Sequence, residues 1–281
     1  MDNILEVRNL HKQLNGFALH DIDFELPYGY IMGLIGPNGA GKTSLLRLIL
    51  NLYKKDGGNI SIFGQNMQHN EVSIKERIGF VQEDTRFYNE FTLEKNANII
   101  SGFYKNWDEQ LFKDFFLEFK LPGKKKFGKL SLGEKKKFAI AVALSHKAEL
   151  LLLDEPTAGL DPIFRRKFLD LLSQHIQNEK RSILISTHIT SDLDRVADYI
   201  VMLSGGRIVF NEDKEFLLNN WGIVKCSNEL LEKNRSKFCG VRVHNYGSEG
   251  LTKHLPELKK LLKDSAKYEK PTLEDIMNLH N

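Results

Sequence analysis

Short apolar runs alternate with stretches of helical periodicity along most of this chain. Apolar runs bounded by glycine, proline or polar residues predict strands at 31–35, 60–63, 78–81, 150–153 and 182–186. Apolar residues spaced i, i+3, i+4 and i+7 predict helices at 44–52, 135–145 and 164–176. Strands that alternate with helices are typical of the α/β class, which is the fold class that we expect.

Short strands without an intervening helix are predicted near both ends of this region. Strands at 4–7 and 21–26 flank a turn at Asn15-Gly16, and a hairpin is predicted at 198–210. Beyond Asn211 the pattern weakens. A helix near Glu229, a strand at 241–243 and helices at 255–262 and 271–279 predict a small α+β appendage, 216–281.

The segment 84–129 shows helical periodicity, no strand signal and many phenylalanines. Four of them recur at helical spacing: Phe112, Phe115, Phe116 and Phe119. We interpret this stripe as core packing of a helical insert. Lysines crowd the stretch 120–137, where Glu134 is the one acid. They indicate a solvated loop and helix face, with a surface for polyanions as the alternative.

A glycine-rich stretch between the first strand of the sheet and the first helix carries the strongest chemical signal. It matches the phosphate-loop pattern G-x-x-x-x-G-K-[ST] in the strand–loop–helix context that the pattern requires. Successive backbone N–H groups of such a loop point at one anion, and the helix N-terminus adds positive potential. We expect Lys42 to reach the β- and γ-phosphates and the Thr43 hydroxyl to hold Mg²⁺. The expected nucleotide contacts are Gly36, Pro37, Asn38, Gly39, Ala40, Gly41, Lys42, Thr43 and Ser44.

Two acids, Asp154 and Glu155, follow the apolar run 150–153. Adjacent side chains on a strand point to opposite faces, so one carboxylate can hold Mg²⁺ while the other faces an attacking water. Gln82 and His188 also stand at strand ends, where α/β sheets place their ligands. Taken alone, such a glutamine is more often a surface residue, and such a histidine more often structural.

Ser131 and Glu134 have the S-x-x-E spacing of a capping box at the start of the helix 135–145. Because a helix N-terminus can bind an anion, this site is a second candidate phosphate contact. A plain helix cap is the alternative interpretation.

Composition limits the classes of partner. The 281 residues include 40 basic and 37 acidic ones, and a net charge of +3 gives little reason to expect nucleic acid. No apolar run approaches the ~20 residues of a membrane span, and the first residues lack the pattern of a signal peptide. Cys226 and Cys239 lack metal-type spacing and fit a reducing compartment. We therefore expect an intracellular protein without a nucleic-acid partner.

Five motifs in one order resemble those of the ATP-binding subunit of ATP-binding cassette (ABC) transporters. They are the phosphate loop, Gln82 as the loop glutamine, the signature Leu-Ser-Leu-Gly-Glu at 130–134, the Walker B strand 150–154 followed by Glu155, and His188 as the switch histidine. The stretch 158–161 is similar to the D-loop. The resemblance covers roughly 1–215. The lysine-rich signature helix and the closing stretch 271–276 resemble the subgroup that exports peptides, antibiotics or drugs.

The resemblance implies a role for each matching residue. Gln82 would link the γ-phosphate and Mg²⁺ to a membrane partner, and Thr43 and Asp154 would also hold the metal. Glu155 would be the general base, and His188 would steady the γ-phosphate. Ser131 and Gly133 would bind the γ-phosphate of a nucleotide held by the opposite subunit.

Three positions depart from the family pattern. Leu132 and Glu134 stand where the signature has glycine and glutamine, and Leu14 stands where the family stacks an aromatic residue on adenine. Phe17 is the candidate to provide that stacking.

The resemblance also implies an architecture and a setting. We expect a P-loop ATPase core (1–215) with a mainly parallel sheet, an antiparallel β subdomain and a helical subdomain (about 84–147), and 216–281 as an accessory domain. ATP and Mg²⁺ would be the cofactors. The chain would pair with a second ATP-binding subunit, identical or not, and bind a membrane-spanning subunit on the cytoplasmic face of the cell membrane.

A soluble ABC-type ATPase acting on ribosomes or DNA is the alternative function. Such relatives usually carry two cassettes or long coiled-coil insertions, and this sequence shows neither. A GTPase is disfavoured because the guanine motif N-K-x-D does not occur.

Overall fold

The computed structural model describes residues 2–245 and 247–280. Its strands are β1 (Asn3–Leu14), β2 (Phe17–Pro27), β3 (Ile31–Ile35), β4 (Gly57–Ile62), β5 (Gln65–Asn66), β6 (Ile78–Val81), β7 (Leu150–Asp154), β8 (Ser182–Ser186), β9 (Tyr199–Ser204), β10 (Arg207–Asp213), β11 (Gly222–Cys226), β12 (Gly240–His244), β13 (Gly247–Thr252) and β14 (Lys267–Glu269). Its helices are α1 (Lys42–Ile49), α2 (Met67–Lys75), α3 (Leu93–Ser101), α4 (Glu109–Glu118), α5 (Leu132–Ser145), α6 (Pro162–His175), α7 (Thr190–Val196), α8 (Lys214–Asn220), α9 (Asn228–Lys233), α10 (Leu255–Leu262) and α11 (Leu273–Leu279).

The central sheet has the strand order β10-β9-β3-β8-β7-β6. Its neighbours pair in parallel except β10, which runs antiparallel to β9. Every residue of β3, β7 and β8 is buried, as expected for parallel strands covered on both faces. The predicted α/β fold with a mainly parallel sheet is confirmed. The carboxyl ends of β3, β8, β7 and β6 lie side by side, so the residues that follow them meet at one edge of the sheet.

A second sheet, β2-β1-β4-β5, is antiparallel throughout and packs over the phosphate-loop helix. Leu5 and Leu19 of this sheet share one apolar cluster with Leu45 and Leu46 of α1. β1 and β2 are longer than the predicted strands 4–7 and 21–26. Register shifts near Asn9, which has a φ of 45°, interrupt the apolar alternation on which the prediction relied.

The region between β6 and β7 is helical, as predicted. Phe112, Phe115 and Phe119 of the predicted stripe are buried and pack with the ring of Phe138 on α5 and its neighbours. This confirms that the stripe is core packing. It also ties α5 firmly to the rest of the helical region.

The C-terminal residues form a third sheet, β12-β13-β11-β14, which is antiparallel. Ile223 and Leu251 on this sheet belong to the main apolar core, whereas Val224 packs with Leu258 of α10 in a separate small cluster. The appendage therefore shares part of the main core. The proposed boundary at 216 falls inside α8. Among the described residues, none of the helices is both long enough and apolar enough to span a bilayer.

Candidate functional site

The phosphate loop connects β3 to α1 and leaves the helix N-terminus open. Gly36 has a φ of 150°, and a Cβ there would lie 2.0 Å from the carbonyl oxygen of Leu203. Gly41 is the N-cap of α1, has a φ of 106° and provides no side-chain cap. Glycine is required at Gly36 because of both the close approach and the backbone angle. The first N–H groups of α1 receive no capping side chain and are available to an anion.

Lys42 is held across this loop. It is 8% exposed, and its Nζ donates to the carbonyl oxygens of Gly36 at 2.7 Å and Pro37 at 3.2 Å. Burial lowers the pKa of Lys42, while the carboxylates of Glu155, Asp154 and Glu83 oppose that shift. A cation that is partly desolvated and held by neutral carbonyl groups is well placed to bind an incoming phosphate.

A cavity of about 400 Å³ opens over the loop. This volume lies within the range of about 300–1,000 Å³ that is usual for small-molecule sites. The cavity is lined by Phe17, Asn38, Gly39, Ala40, Gly41, Lys42, Thr43, Ser44, Glu83, Glu155 and His188. The structure thus brings most of the sequence-predicted residues together at the carboxyl edge of the parallel sheet.

The two acids after β7 have different surroundings. Asp154 is 2% exposed and accepts a hydrogen bond from the Ser186 hydroxyl at 2.6 Å. Glu155 has a φ of 46°, so the chain leaves the strand at this residue in a left-handed conformation. Of the two, Glu155 lines the cavity. The backbone turn at Glu155, as well as strand alternation, therefore separates the two carboxylates.

Glu155 is joined to the loop after β8 by three contacts. Its carboxylate lies 2.9 Å from Nδ1 of His188 and accepts from the His188 backbone N–H at 3.0 Å. The Thr187 hydroxyl donates to the same carboxylate at 3.3 Å. Glu155 is 5% exposed, whereas the His188 side chain is half exposed toward the cavity. The Glu155 carboxylate therefore orients the imidazole ring at the cavity.

Gln82 and its neighbour Glu83 differ in their position relative to the cavity. Gln82 is half-buried, and its backbone carbonyl accepts a hydrogen bond from Lys136. The residue of this loop that lines the cavity is Glu83, for which sequence analysis assigned no role. Both residues follow the end of β6 at Val81, and the sequence contains no signal that selects one over the other.

Phe17 lies beside the phosphate loop. A Cβ on Gly41 would come within 2.8 Å of its ring, so the ring covers the start of α1. Leu14 is the cross-strand neighbour of Phe17 in the β1–β2 hairpin. Phe17 is among the cavity-lining residues and Leu14 is not. The structure thus places Phe17, the candidate for stacking on a nucleotide base, at the cavity.

Ser131 and Gly133 lie at the N-terminus of α5 and are not among the residues that line the cavity. The predicted capping box is present. Glu134 N–H donates to the Ser131 hydroxyl at 3.2 Å, and Ser131 N–H donates to the Glu134 carboxylate at 2.7 Å. Leu132 is 79% exposed at this tip. The signature thus forms a capped, exposed helix end that does not contribute to the nucleotide cavity of its own chain.

A buried hydrogen-bond network that sequence analysis missed supports the region after Glu155. Asp192 of α7 is 2% exposed and accepts from Thr157 at 2.7 Å and from Nε of Arg165 at 2.6 Å. The network connects the chain after Glu155 with the helix after His188. Nothing in the local sequence marks Asp192 as buried, because the partners come from distant positions.

The oxygen donors near the loop suit Mg²⁺. Thr43 and Glu83 line the cavity, and Asp154 lies at the adjoining strand end. Within 2–245 and 247–280, no cluster of three or more histidine, cysteine or acidic side chains could hold a metal ion by itself. Mg²⁺ commonly binds through one or two protein ligands together with substrate phosphates, so the donor set fits a metal that arrives with a nucleotide.

Comparison with known proteins agrees with this geometry. The family described as ABC transporter matches residues 19–158. The bacitracin transport ATP-binding protein BcrA of Bacillus licheniformis is 36% identical over 214 residues, which cover 74% of this chain and 69% of that protein. A solved ATP-binding subunit of an ABC transporter is 27% identical with a TM-score of 0.71, covering 77% of this chain and 92% of that one.

A third relative adds a fold comparison at lower identity. The ATP-binding cassette MJ0796, solved as a dimer in a post-hydrolysis state with ADP and Pi, is 21% identical. It has a TM-score of 0.66 and covers 74% of this chain and 98% of that one. At this identity the similarity shows a shared fold.

Proposed function

Since the chain belongs to the ABC transporter family, as an ATP-binding subunit that hydrolyses ATP for transport, we propose that it powers export through a separate membrane-spanning subunit. The observation that carries this proposal is the cavity that combines an open phosphate loop with the Glu155–His188 pair. A peptide antibiotic or drug is the proposed cargo, because the relative named above is a bacitracin transport ATP-binding protein and the signature helix resembles that of exporters. The proposed location is the cytoplasmic face of the cell membrane.

Nucleotide binding is assigned to the phosphate loop. The free N–H groups at the start of α1 and the ammonium of Lys42 would hold the phosphates, and Phe17 would stack on the base. We assign Mg²⁺ to Thr43, Gln82 and Asp154, with Glu83 as a further acidic side chain at the cavity. The metal would neutralise charge that develops on the phosphates during transfer.

Hydrolysis is assigned to the Glu155–His188 pair. Glu155 would accept a proton from the attacking water, and His188 would donate a hydrogen bond to the γ-phosphate. The contact between them supports this division, since the carboxylate orients the ring while the ring faces the cavity. In phosphoryl transfer most of the catalysis comes from positioning and electrostatics, which this hydrogen-bonded pair would provide.

The active unit is proposed to be a head-to-tail pair of ATP-binding subunits. Ser131 and Gly133 lie outside the cavity of their own chain, and the γ-phosphate of a bound nucleotide would be open on one side. In a two-fold pair each signature helix end could cover the partner's nucleotide, because an isologous contact is made twice. The dimeric state of the solved cassette described above supports this arrangement.

The test of the assignment is Glu155→Gln. This change keeps the shape of the side chain and removes the base, so ATP turnover should fall ~10²–10⁴-fold while ATP binding is retained. Release of phosphate and binding of ATP are both measured on the purified chain, alone and with its membrane partner. Hydrolysis at the wild-type rate would remove Glu155 from the role of base.

A further inference from the structure

The third sheet of the chain, β12-β13-β11-β14, which we call the accessory sheet, has different neighbours on its two faces. Its strands and the helices α9 and α10 follow one another in the order of the split βαβ motif. Val224 shares a small apolar cluster with Leu231 of α9 and Leu262 of α10. The next residue back, Ile223, points to the opposite face and belongs to the main apolar core. The second face is therefore turned toward the ATPase core.

The last helix, α11, contacts both the accessory sheet and α7. It packs against β12 and β13 and also against α7. Its three buried apolar residues, Leu273, Ile276 and Leu279, belong to the main core together with Leu193 of α7. The fit at its far end is close, because a Cβ on Gly240 of β12 would lie 1.9 Å from the carbonyl oxygen of Leu279. α11 thus joins the accessory sheet to α7.

α7 is the helix that follows the switch histidine, and it begins two residues after His188. Two of its contacts come from the ATPase core. Leu193 packs on β3, where a Cβ on Gly33 would lie 2.6 Å from the leucine side chain. Asp192 accepts a hydrogen bond from Nε of Arg165 on α6 at 2.6 Å. α11 adds a third contact, from a part of the chain beyond that core.

The C-terminal end of α7 is held by α8, which leads into the accessory sheet. Nζ of Lys214, the first residue of α8, donates to the carbonyl oxygen of Asp194 at 3.0 Å. The last carbonyl groups of a helix have no partner within it, and a cation there is favourable. The Lys214 backbone N–H also donates to the carbonyl oxygen of Asp198 at 2.8 Å. The chain after β10 therefore contacts α7 through both α8 and α11.

We propose that Ile276 of α11 is a positioning residue for ATP hydrolysis, which acts by holding α7 and, through it, His188. This proposal rests on the proposed role of His188 at the γ-phosphate. α7 has only 7 residues, and a helix of that length gains most of its stability from tertiary packing. The contacts of Glu155 with Nδ1 of His188 at 2.9 Å and with its backbone N–H at 3.0 Å therefore depend on the neighbours that fix α7. The accessory sheet keeps one of these neighbours in place.

The experiment compares Ile276→Ala with Leu262→Ala, made in the full chain. Leu262 is the last residue of α10 and is buried in the small cluster on the other face of the accessory sheet, so it is a matched control for loss of apolar packing. Hydrogen exchange followed by mass spectrometry measures the backbone amides of 188–197. We expect them to exchange ~10-fold faster in Ile276→Ala, because local opening becomes less costly, and at the wild-type rate in Leu262→Ala.

ATP turnover should follow the same division. It should fall ~10–100-fold in Ile276→Ala, since a small displacement of a catalytic group is costly, and by less than about twofold in Leu262→Ala. The affinity of a single chain for ATP should stay unchanged in both variants, because the phosphate loop lies between β3 and α1. In a His188→Ala background, Ile276→Ala should lower the residual turnover by less than about twofold, because a residue that acts through His188 has no effect without it.

Should Ile276→Ala fail to fold, Ile276→Val removes one methyl group and is expected to change exchange and turnover in the same directions by smaller factors. Wild-type exchange of 188–197, or wild-type turnover, in the Ile276 variants would overturn the proposal and leave the proposed function intact. An equal loss of turnover in Leu262→Ala, or an undiminished loss in the His188→Ala background, would also overturn it. Wild-type turnover in His188→Ala itself would overturn the proposed role of His188 together with the inference that rests on it.

Discussion

The two helix N-termini that we propose as phosphate contacts differ in the side chains that already occupy them. At α1 the N-cap is Gly41, no side chain caps the helix, and Lys42 stands beside the open end. At α5 Ser131 and Glu134 cap each other, and the carboxylate of Glu134 sits on the first turn. An open end with a cation can bind an anion at once, whereas a capped end with an anion must first give up its own contacts.

The Glu134 carboxylate places a negative charge at the N-terminus of α5. The Ser131 N–H holds the pKa of Glu134 below its ordinary value, with Lys125 assisting, so this carboxylate is ionised at neutral pH. In a head-to-tail pair it would approach the partner's nucleotide as a like charge. On the proposed assignment, α1 would provide the affinity of a single chain for nucleotide, and α5 would determine how readily two chains close.

The largest expected effect comes from two variants, one altered at the N-terminus of α1 and the other at the N-terminus of α5. Lys42→Ala removes the cation at α1, and Ser131→Arg blocks the tip of α5 in the dimer. Each variant alone should lose at least ~100-fold in ATP turnover, since each removes electrostatic stabilisation of the transferred phosphate. In a mixture, one site of the mixed dimer combines the intact Lys42 of one chain with the intact Ser131 of the other, so turnover should partly recover.

The measurement is phosphate release at varied ratios of the two variants. The control is each variant mixed with itself at the same total concentration. Full ATP turnover by Ser131→Arg as a dilute monomer would show that the α5 end is not needed for hydrolysis. The proposed division of roles between α1 and α5 would then be wrong.

The second prediction concerns the open end alone. Phe17→Ala should weaken nucleotide binding by a single chain by roughly 1–3 kcal/mol, the usual contribution of aromatic stacking on a base. Leu14→Ala, at the cross-strand neighbour, is the matched control and should leave the affinity unchanged. Titration with a fluorescent nucleotide measures both. An unaltered affinity in Phe17→Ala would exclude the ring from the site.

The smallest effect is expected at the capped end. Glu134→Gln removes the charge while an amide oxygen can still accept from Ser131 N–H, so α5 stays capped. The removal of like charge should strengthen ATP-dependent dimer formation by about 0.3–1 kcal/mol, an amount typical of a charge near a helix end.

The control for this variant is Glu109→Gln, which removes a first-turn glutamate from α4 instead. Analytical ultracentrifugation with ATP in the Glu155→Gln background gives the dimerisation constants. Weaker dimerisation in Glu134→Gln than in its parent would mean that the carboxylate supports closure instead of opposing it.

The sequence by itself determined much of the architecture and the chemistry of this protein. Fully apolar runs mark β3, β7 and β8 because both faces of a parallel strand are buried, and the glycine pattern marks a loop that only glycine can form. The S-x-x-E spacing identified the cap of α5 because its hydrogen bonds are local. Local rules of this kind depend on residues close together in the chain.

Other features were decided only by the tertiary structure. The lengths of β1 and β2 depend on register shifts, and the third sheet depends on pairing between short strands with weak apolar patterns. That Glu83 lines the nucleotide cavity and Gln82 does not depends on how the chain leaves β6. The burial of the Lys136 and Asp192 side chains depends on hydrogen-bond partners 54 and 35 positions away. A buried polar side chain is satisfied by whatever the fold brings next to it, and sequence spacing carries no record of that neighbour.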